Sequence, residues 1–382
     1  MQRIYFDNAA TTPLDPRVAE VMMESMRSLY GNPSSIHNEG RTARAAVEHA
    51  RKQAAELLGA SIGEIFFTSG GTESNNMVLK CAVRDLGVTR IISSPLEHHC
   101  VLHAADTLQR TGLAERVLVR VDAKGQPDMG HIQSLLKEER AGRTLVSLML
   151  ANNEIGTLID LAEVGSLCKE HGALFHSDTV QAIGYYPFNL EELPVDFITG
   201  SAHKFHGPKG VGFVYINSEH TLKPFMDGGA QERNMRGGTE NIAGIQGMAA
   251  ALRLAHEEMD SRRAAIQGIR DYFKSKLEQH FDGLEFNGDP ANGHYKLLSV
   301  GFPPSPKAEL LLLNLDIAGI SVSGGSACSS GADAGSHVIH ALKGDDPRKT
   351  IRFSFSHHNT REEVDKAISQ LIKIIPAGQP AG

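Results

Sequence analysis

Cysteine is scarce in this chain of 382 residues: Cys81, Cys100, Cys168 and Cys328 are the only four, and no two form a CxxC pair. That scarcity excludes a disulfide framework and fits a reducing, cytoplasmic setting. No run of about 18 apolar residues occurs, so there is no candidate membrane span. The opening MQRIYFDNAATTP lacks a basic segment followed by an apolar stretch, and no export signal is expected. The formal charge is -7 with Lys and Arg dispersed, which leaves no basic stripe to track a phosphate backbone, so direct nucleic-acid binding is not expected. Internal repeats are also missing. With 41% hydrophobic and 22% charged residues, the chain reads as a folded, soluble globular protein, long enough for a large domain and a smaller second one.

From about residue 64 to 216, short apolar runs (EIFFT, RIIS, RVLVRV, TLVSLML, ALFHSD, DFITGS, GFVYI) alternate with helix-length amphipathic stretches such as 73–86 and 101–110. This alternation predicts a parallel α/β sheet. The polar clusters SGGTESNN, LEHH, NNEIG, SDTVQ and SAHK each follow an apolar run, and loops at the carboxyl ends of such strands gather in space. Beyond about residue 255 the pattern changes to a long charged helix over 259–280, two short strands and a closing helix over about 360–375. These read as an α+β domain, with the opening residues packed near it. The Gly-, Ser- and Ala-rich stretch 319–337 buries little area and predicts a mobile loop around Cys328.

Chemistry-bearing residues stand at the ends of these runs. Thr68 to Asn76 joins a strand to a helix with small residues whose N–H groups and hydroxyls can hold a phosphate at the helix N-terminus, although an ordinary capped turn has the same look. Lys204 ends the run DFITG-SAHK, where desolvation suits an amine to form an imine with an aldehyde; the plain alternative is a lysine snorkelling from a strand end. Lys209 competes for the role, but Gly and Pro around it predict an exposed turn. Asp178, after ALFHS, can keep a pyridinium nitrogen protonated, with Gln181 three residues on at the ring hydroxyl, or it can simply cap the next helix. His98 can stack on an aromatic ring or move protons, or be an ordinary polar residue. Cys328 lies in a loop from which a thiol could swing to a partner. Cys81 and Cys168 have core-like spacing, and Cys100 fits either a core or a site, with core favoured.

Taken together, YFDNAATTP, GNPSSIH, FTSGGTESNN, LEHH, NNEIG, HSDTVQA, SAHKFHGPKG, MRGGTEN, SGGSACSSG and IRFSF, in this order over nearly the whole chain, resemble the cysteine desulfurases that serve nitrogenase and iron–sulfur assembly. That group is a branch of the class-V aminotransferase family of fold-type-I pyridoxal-phosphate enzymes. The resemblance implies a mostly parallel seven-stranded sheet in a large cofactor-binding domain over 15–255. A smaller α+β domain would comprise 1–14 and 256–382, with the cysteine loop at about 321–335. It implies pyridoxal 5'-phosphate on Lys204, with Asp178 at the pyridine nitrogen, Gln181 at the ring hydroxyl and His98 over the ring. Gly71, Thr72, Ser201 and His203 would hold the phosphate, with Thr239 completing the cup of the neighbouring subunit of a homodimer. Asn153 and Arg352 would hold the carboxylate of the substrate.

The activity so implied takes sulfur from L-cysteine as a persulfide on Cys328 and leaves alanine, with Lys204 and His98 moving protons and an iron–sulfur scaffold or other protein as sulfur acceptor. No resident metal is implied, although Cys328 could ligate an iron–sulfur cluster transiently with a partner. A selenocysteine lyase or an aminotransferase would share Lys204 and Asp178 but has less use for a loop thiol; a binding module that kept only the fold would not need them. Two departures stand out. Ser356-His357-His358 replaces the Gly-Arg-aromatic run that commonly follows IRFSF, and the chain ends at IIPAGQPAG without the longer tail some relatives use to dock a scaffold.

Overall fold

The computed structural model describes residues 3–324 and 335–375, and Cys328 lies outside the described residues. A two-residue strand, β1 (Ile4–Tyr5), opens the described chain. The next seven strands are β2 (Ile65–Thr68), β3 (Val88–Ser93), β4 (Glu115–Leu118), β5 (Arg143–Ser147), β6 (Leu174–Asp178), β7 (Phe197–Ser201) and β8 (Gly212–Ile216). They form one sheet in the order β2-β8-β7-β6-β5-β3-β4. Only β8 runs against its neighbours; the pairings from β7 through β6, β5 and β3 to β4 are parallel.

The apolar runs are continuous because both faces of the sheet are covered. Leu145, Leu174, Phe197 and Val214 enter one core cluster, and their sequence neighbours Val146, Phe175, Ile198 and Phe213 enter the other. Helices Gly71–Asp85 and His99–Arg110 supply Met77, Val78, Val101 and Ala105 to the first. Helices Asn38–Leu58 and Ile242–Glu257 back the second. Two helices start earlier than the sequence pattern indicated, at Gly71 and His99 rather than at 73 and 101. The residues added at these starts, Gly71, Thr72, His99 and Cys100, carry no apolar period, and all four line the site.

After helix Met259–His280 come, among the described residues, four short strands rather than two: β9 (Glu285–Asn287), β10 (Leu297–Phe302), β11 (Ile320–Ser321) and β12 (Lys349–Ser354). β9, β10 and β12 make an antiparallel sheet, whereas β11 pairs in parallel with β1 through Ile4 and Ile320. Such a non-local pairing of two-residue strands leaves no local pattern to read. The chain start is also held by Phe6, whose ring meets Phe273 at 5.8 Å and Phe355 at 5.1 Å. No helix among the described residues is long and apolar enough to cross a membrane.

Candidate active site

Five loops that follow β2, β3, β5, β6 and β7 converge with Ala9 and Ala10 on a cavity of about 240 Å³. Gly71, Thr72, His98, Asn153, Asp178, Gln181, Ser201, His203, Lys204 and Arg352 all line it. Thr239 does not; it is exposed, on a different loop. Lys209 is exposed too, and is absent from the lining.

Lys204 closes a single turn of 3-10 helix, Ala202–Lys204, after β7. Its Nζ donates to the carbonyls of Ala9 and Ala10, both at 2.8 Å, so the chain start orients this amine. Asp178, at the end of β6 and 4% exposed, is held from two sides: Oδ1 accepts from the Val180 amide at 3.0 Å and Oδ2 from Asn75 Nδ2 at 2.7 Å. The capping reading and the site reading of Asp178 are therefore compatible, since one oxygen serves a turn and the residue still faces the cavity. Asn75 is itself fixed by Thr199 Oγ1, which donates to its Oδ1 at 3.0 Å. Both side chains are thus held by partners from the protein itself.

The wall opposite carries His98. Its Nδ1 accepts from the Cys100 amide at 3.1 Å and lies 3.0 Å from Cys100 Sγ, so the neutral ring keeps its proton on Nε2. Burial holds this imidazole below its usual pKa, with Lys204 adding to the shift and Asp178 opposing it. Cys100 both packs against the core cluster of Val101 and Ala105 and lines the cavity, because its helix starts at His99 and its Sγ accepts from Asn75 Nδ2 at 3.2 Å. Burial pushes its thiol up to about 12, so it stays protonated. Cys81 and Cys168 are buried in the core.

At the phosphate-binding end predicted from the sequence, helix Gly71–Asp85 presents its N-terminus. Gly70 has φ +146°, and a Cβ on Gly71 would lie 2.6 Å from Val180 Cγ2, so only glycine leaves room there. His203 is held to about 3 by burial and by the charges of Lys204, Lys209 and Lys296, and its Nδ1 lies 3.1 Å from Thr11 Oγ1. At the other end Arg352, 1% exposed, donates Nη1 to the Asn153 carbonyl at 2.7 Å and Nη2 to Asp7 Oδ1 at 2.9 Å. In the stretch Ser356-His357-His358 the two histidines meet His206 edge to face, with ring centroids 4.8 and 5.4 Å away, and the stretch lies outside the cavity lining.

Four polar atoms of residues lining this cavity, Gln181 Oε1, Arg352 Nε, Glu154 Oε1 and His337 Nδ1, are buried without a hydrogen-bond partner among the described residues. Unmet buried groups of this kind belong with a ligand that meets them. A pyridine aldehyde phosphate fits the set: an amine, a carboxylate, an acceptor amide, a neutral imidazole and an anion cradle at a helix N-terminus. Sequence reasoning missed Asn75, Asp7 and the carbonyls of Ala9 and Ala10. Asn75 lies in the polar cluster SGGTESNN, and its position one helical turn after Gly71 is the signal that could have found it.

This fold and site define a member of the aminotransferase class-V family, and the chain belongs to it, matching the family's model over residues 4–367. It is 41% identical over 378 residues to the cysteine desulfurase IscS of Dictyoglomus turgidum, across 98% of this chain and 95% of that one. Among solved structures, a NifS-like protein superposes with a TM-score of 0.90 at 38% identity, covering 98% of this chain and 99% of the other. The structure of SspA in complex with cysteine gives a TM-score of 0.81 at 28% identity, covering 94% and 100% respectively.

Proposed function

We propose that this chain is a pyridoxal-phosphate-dependent cysteine desulfurase that converts L-cysteine to L-alanine and takes the sulfur as a persulfide on Cys328. The observation that supports it most directly is the meeting of Lys204, Asp178, His98 and Arg352 in one cavity of a chain 41% identical to a cysteine desulfurase. Pyridoxal 5'-phosphate, when bound, supplies an electron sink for the α-carbon of the amino acid. Lys204 would attach it and move the α-proton, Asp178 would keep the ring nitrogen charged, and Gln181 Oε1 would meet the ring hydroxyl. Gly71, Thr72, Ser201 and His203 would hold the phosphate. Arg352, with Asn153, takes the substrate carboxylate through its open Nε and remaining N–H groups.

The Cys328 thiol forms a bond to the substrate sulfur as the carbon–sulfur bond breaks, so that L-cysteine and thiol give L-alanine and Cys328 persulfide, in balance. His98 would act as the proton shuttle for that step: its neutral imidazole takes up the proton that the Cys328 thiol loses and returns it to the carbon that sulfur leaves, so that it ends neutral as it began. We place the protein in the cytoplasm as a homodimer in which Thr239 reaches the partner's site, which accords with its exposure and its absence from the cavity of its own chain. Residues 15–255 would be the large domain, and 1–14 with 256–382 the smaller. The persulfide would pass to an iron–sulfur scaffold or another sulfur acceptor.

The test is release of alanine and sulfide from L-cysteine with a reducing thiol, comparing the wild type with Cys328→Ser at equal cofactor content. Equal yields of both products from the wild type, and neither from the variant, support the reading. Full activity in Cys328→Ser would overturn the persulfide step and leave a direct lyase.

A further inference from the structure

Lys296 stands immediately before β10 and is 0% exposed. Its Nζ donates to the backbone carbonyl of Lys204 at 3.1 Å and lies 4.2 Å from the centroid of the Tyr185 ring. The same carbonyl accepts from the Tyr185 hydroxyl at 2.8 Å, and the Tyr185 carbonyl is held in turn by the Tyr295 hydroxyl at 2.8 Å. Among the described residues, no carboxylate comes within ion-pairing distance of Lys296. Asp7, the acid whose charge reaches it, is bonded to Arg352.

A buried amine without a carboxylate is expensive, and an apolar side chain of similar volume would fill the space at lower cost. Packing therefore does not account for it, whereas the Lys204 carbonyl does. That carbonyl belongs to the short turn from which the Lys204 side chain departs, and the turn continues into His206 at φ +67°, a left-handed conformation that needs support. β10 also pairs with β12 so that Ser299 faces Arg352. Lys296 thus joins the sheet that carries Arg352 to the turn that carries Lys204.

We infer that Lys296 is a positioning residue for Lys204: with Tyr185 it clamps the carbonyl of that lysine and fixes the direction of its amine relative to Asp178 and Arg352. This rests on Lys204 being the residue that binds the cofactor. Burial, with the charges of Lys204 and Arg352, holds the Lys296 amine well below the usual lysine range, while Asp7 opposes. His203, His206 and His294 also feel its charge, and the phenols of Tyr185 and Tyr295 are pushed up by burial and stay neutral. A neutral amine still donates to a carbonyl, so the clamp survives loss of the charge.

The experiment uses the full chain loaded with pyridoxal 5'-phosphate, as wild type, Lys296→Met, Lys296→Arg and Tyr185→Phe. Borohydride trapping and peptide mapping locate the cofactor; its dissociation rate, the pH midpoint of its absorbance, and kcat and KM for L-cysteine are then measured. For Lys296→Met the label stays on Lys204, dissociation speeds up about tenfold and kcat falls about tenfold with KM nearly unchanged. The absorbance midpoint moves by about half a pH unit or more. Lys296→Arg recovers part of each change, and Tyr185→Phe reproduces the dissociation and kcat effects, so the inference stays testable should Lys296→Met fail to fold. Dissociation, midpoint and kcat at wild-type values in folded Lys296→Met, or in Tyr185→Phe where the former does not fold, overturn it, even with a lowered Tm. A label on another lysine in the wild type would instead remove the premise about Lys204, and with it the inference.

Discussion

Asn75 determines what Asp178 can do. The amide donates to Oδ2 at 2.7 Å while Thr199 holds the far side of Asn75 at 3.0 Å, and both residues are fully buried. Replacing Asn75 with Leu, close in shape but with no donor, leaves a buried carboxylate oxygen short of a partner, which costs about 1–3 kcal/mol. Cofactor affinity is expected to drop about tenfold or more, since the carboxylate is then free to swing away from the ring nitrogen. Fluorescence titration of the apoprotein with pyridoxal 5'-phosphate measures this, and unchanged affinity in folded protein would remove Asn75 from the site. Thr199→Val should show a smaller loss in the same direction. Lys204 and Asp178 could be picked out as candidates in the sequence because each closes an apolar run, although a snorkelling lysine and a helix cap have the same pattern, and Ser201 was singled out by the family resemblance; the structure brings all three to one cavity. Asn75, Lys296 and the carbonyls of Ala9 and Ala10 were not. Their roles come from contacts across more than 90 residues of chain, and a carbonyl has no residue type to read.

Elements show the same division between what local pattern carries and what it cannot. The central sheet followed from apolar runs alternating with helix-length stretches, and the long helix Met259–His280 from its unbroken charged stretch. The loop before Thr239 had no such signal. Glu232, Arg233 and Asn234 adopt φ of 44°, 55° and 64°, three successive left-handed residues without a glycine, each costing about 1–2 kcal/mol. What holds them is the buried Glu232 carboxylate, which takes Arg51 Nη1 at 2.7 Å and Nη2 at 2.9 Å and the Phe67 amide at 2.7 Å. The loop is further tied to the phosphate-end helix by Arg236 Nε, which donates to Glu73 Oε1 at 2.8 Å. Glu232→Gln would leave Arg51 buried with half its partner, so a loss of about 3–5 kcal/mol in urea unfolding is expected. Arg236→Lys, which keeps a cation beside the partly buried Glu73, should cost clearly less, about 1–2 kcal/mol. Equal effects would mean that the strained turn is not carried by the buried pair.

At the scale of the whole molecule, the buried histidines set an acid limit. His176 is held to about 3 and His206 to about 2, chiefly by burial, and His294 lies well below its usual value for the same reason. The unfolded chain takes up protons at these rings from about pH 6.5 downward, while the folded chain refuses them until far lower. Stability therefore falls as pH drops through this window, by up to about 1.4 kcal/mol per pH unit for each ring. Asp15 and Glu258, held to about 2 by Arg17 and Arg262, push in the same direction but only below about pH 4.5, where the unfolded carboxylates begin to protonate. The two causes separate in a series of urea midpoints between pH 7.5 and about pH 5. A steep decline there belongs to the histidines, and His206→Asn should flatten it, since asparagine tolerates φ +67° and can donate to the Pro13 carbonyl that His206 Nδ1 meets at 3.0 Å. A flat series down to about pH 5 in the wild type would place the acid limit with the carboxylates alone.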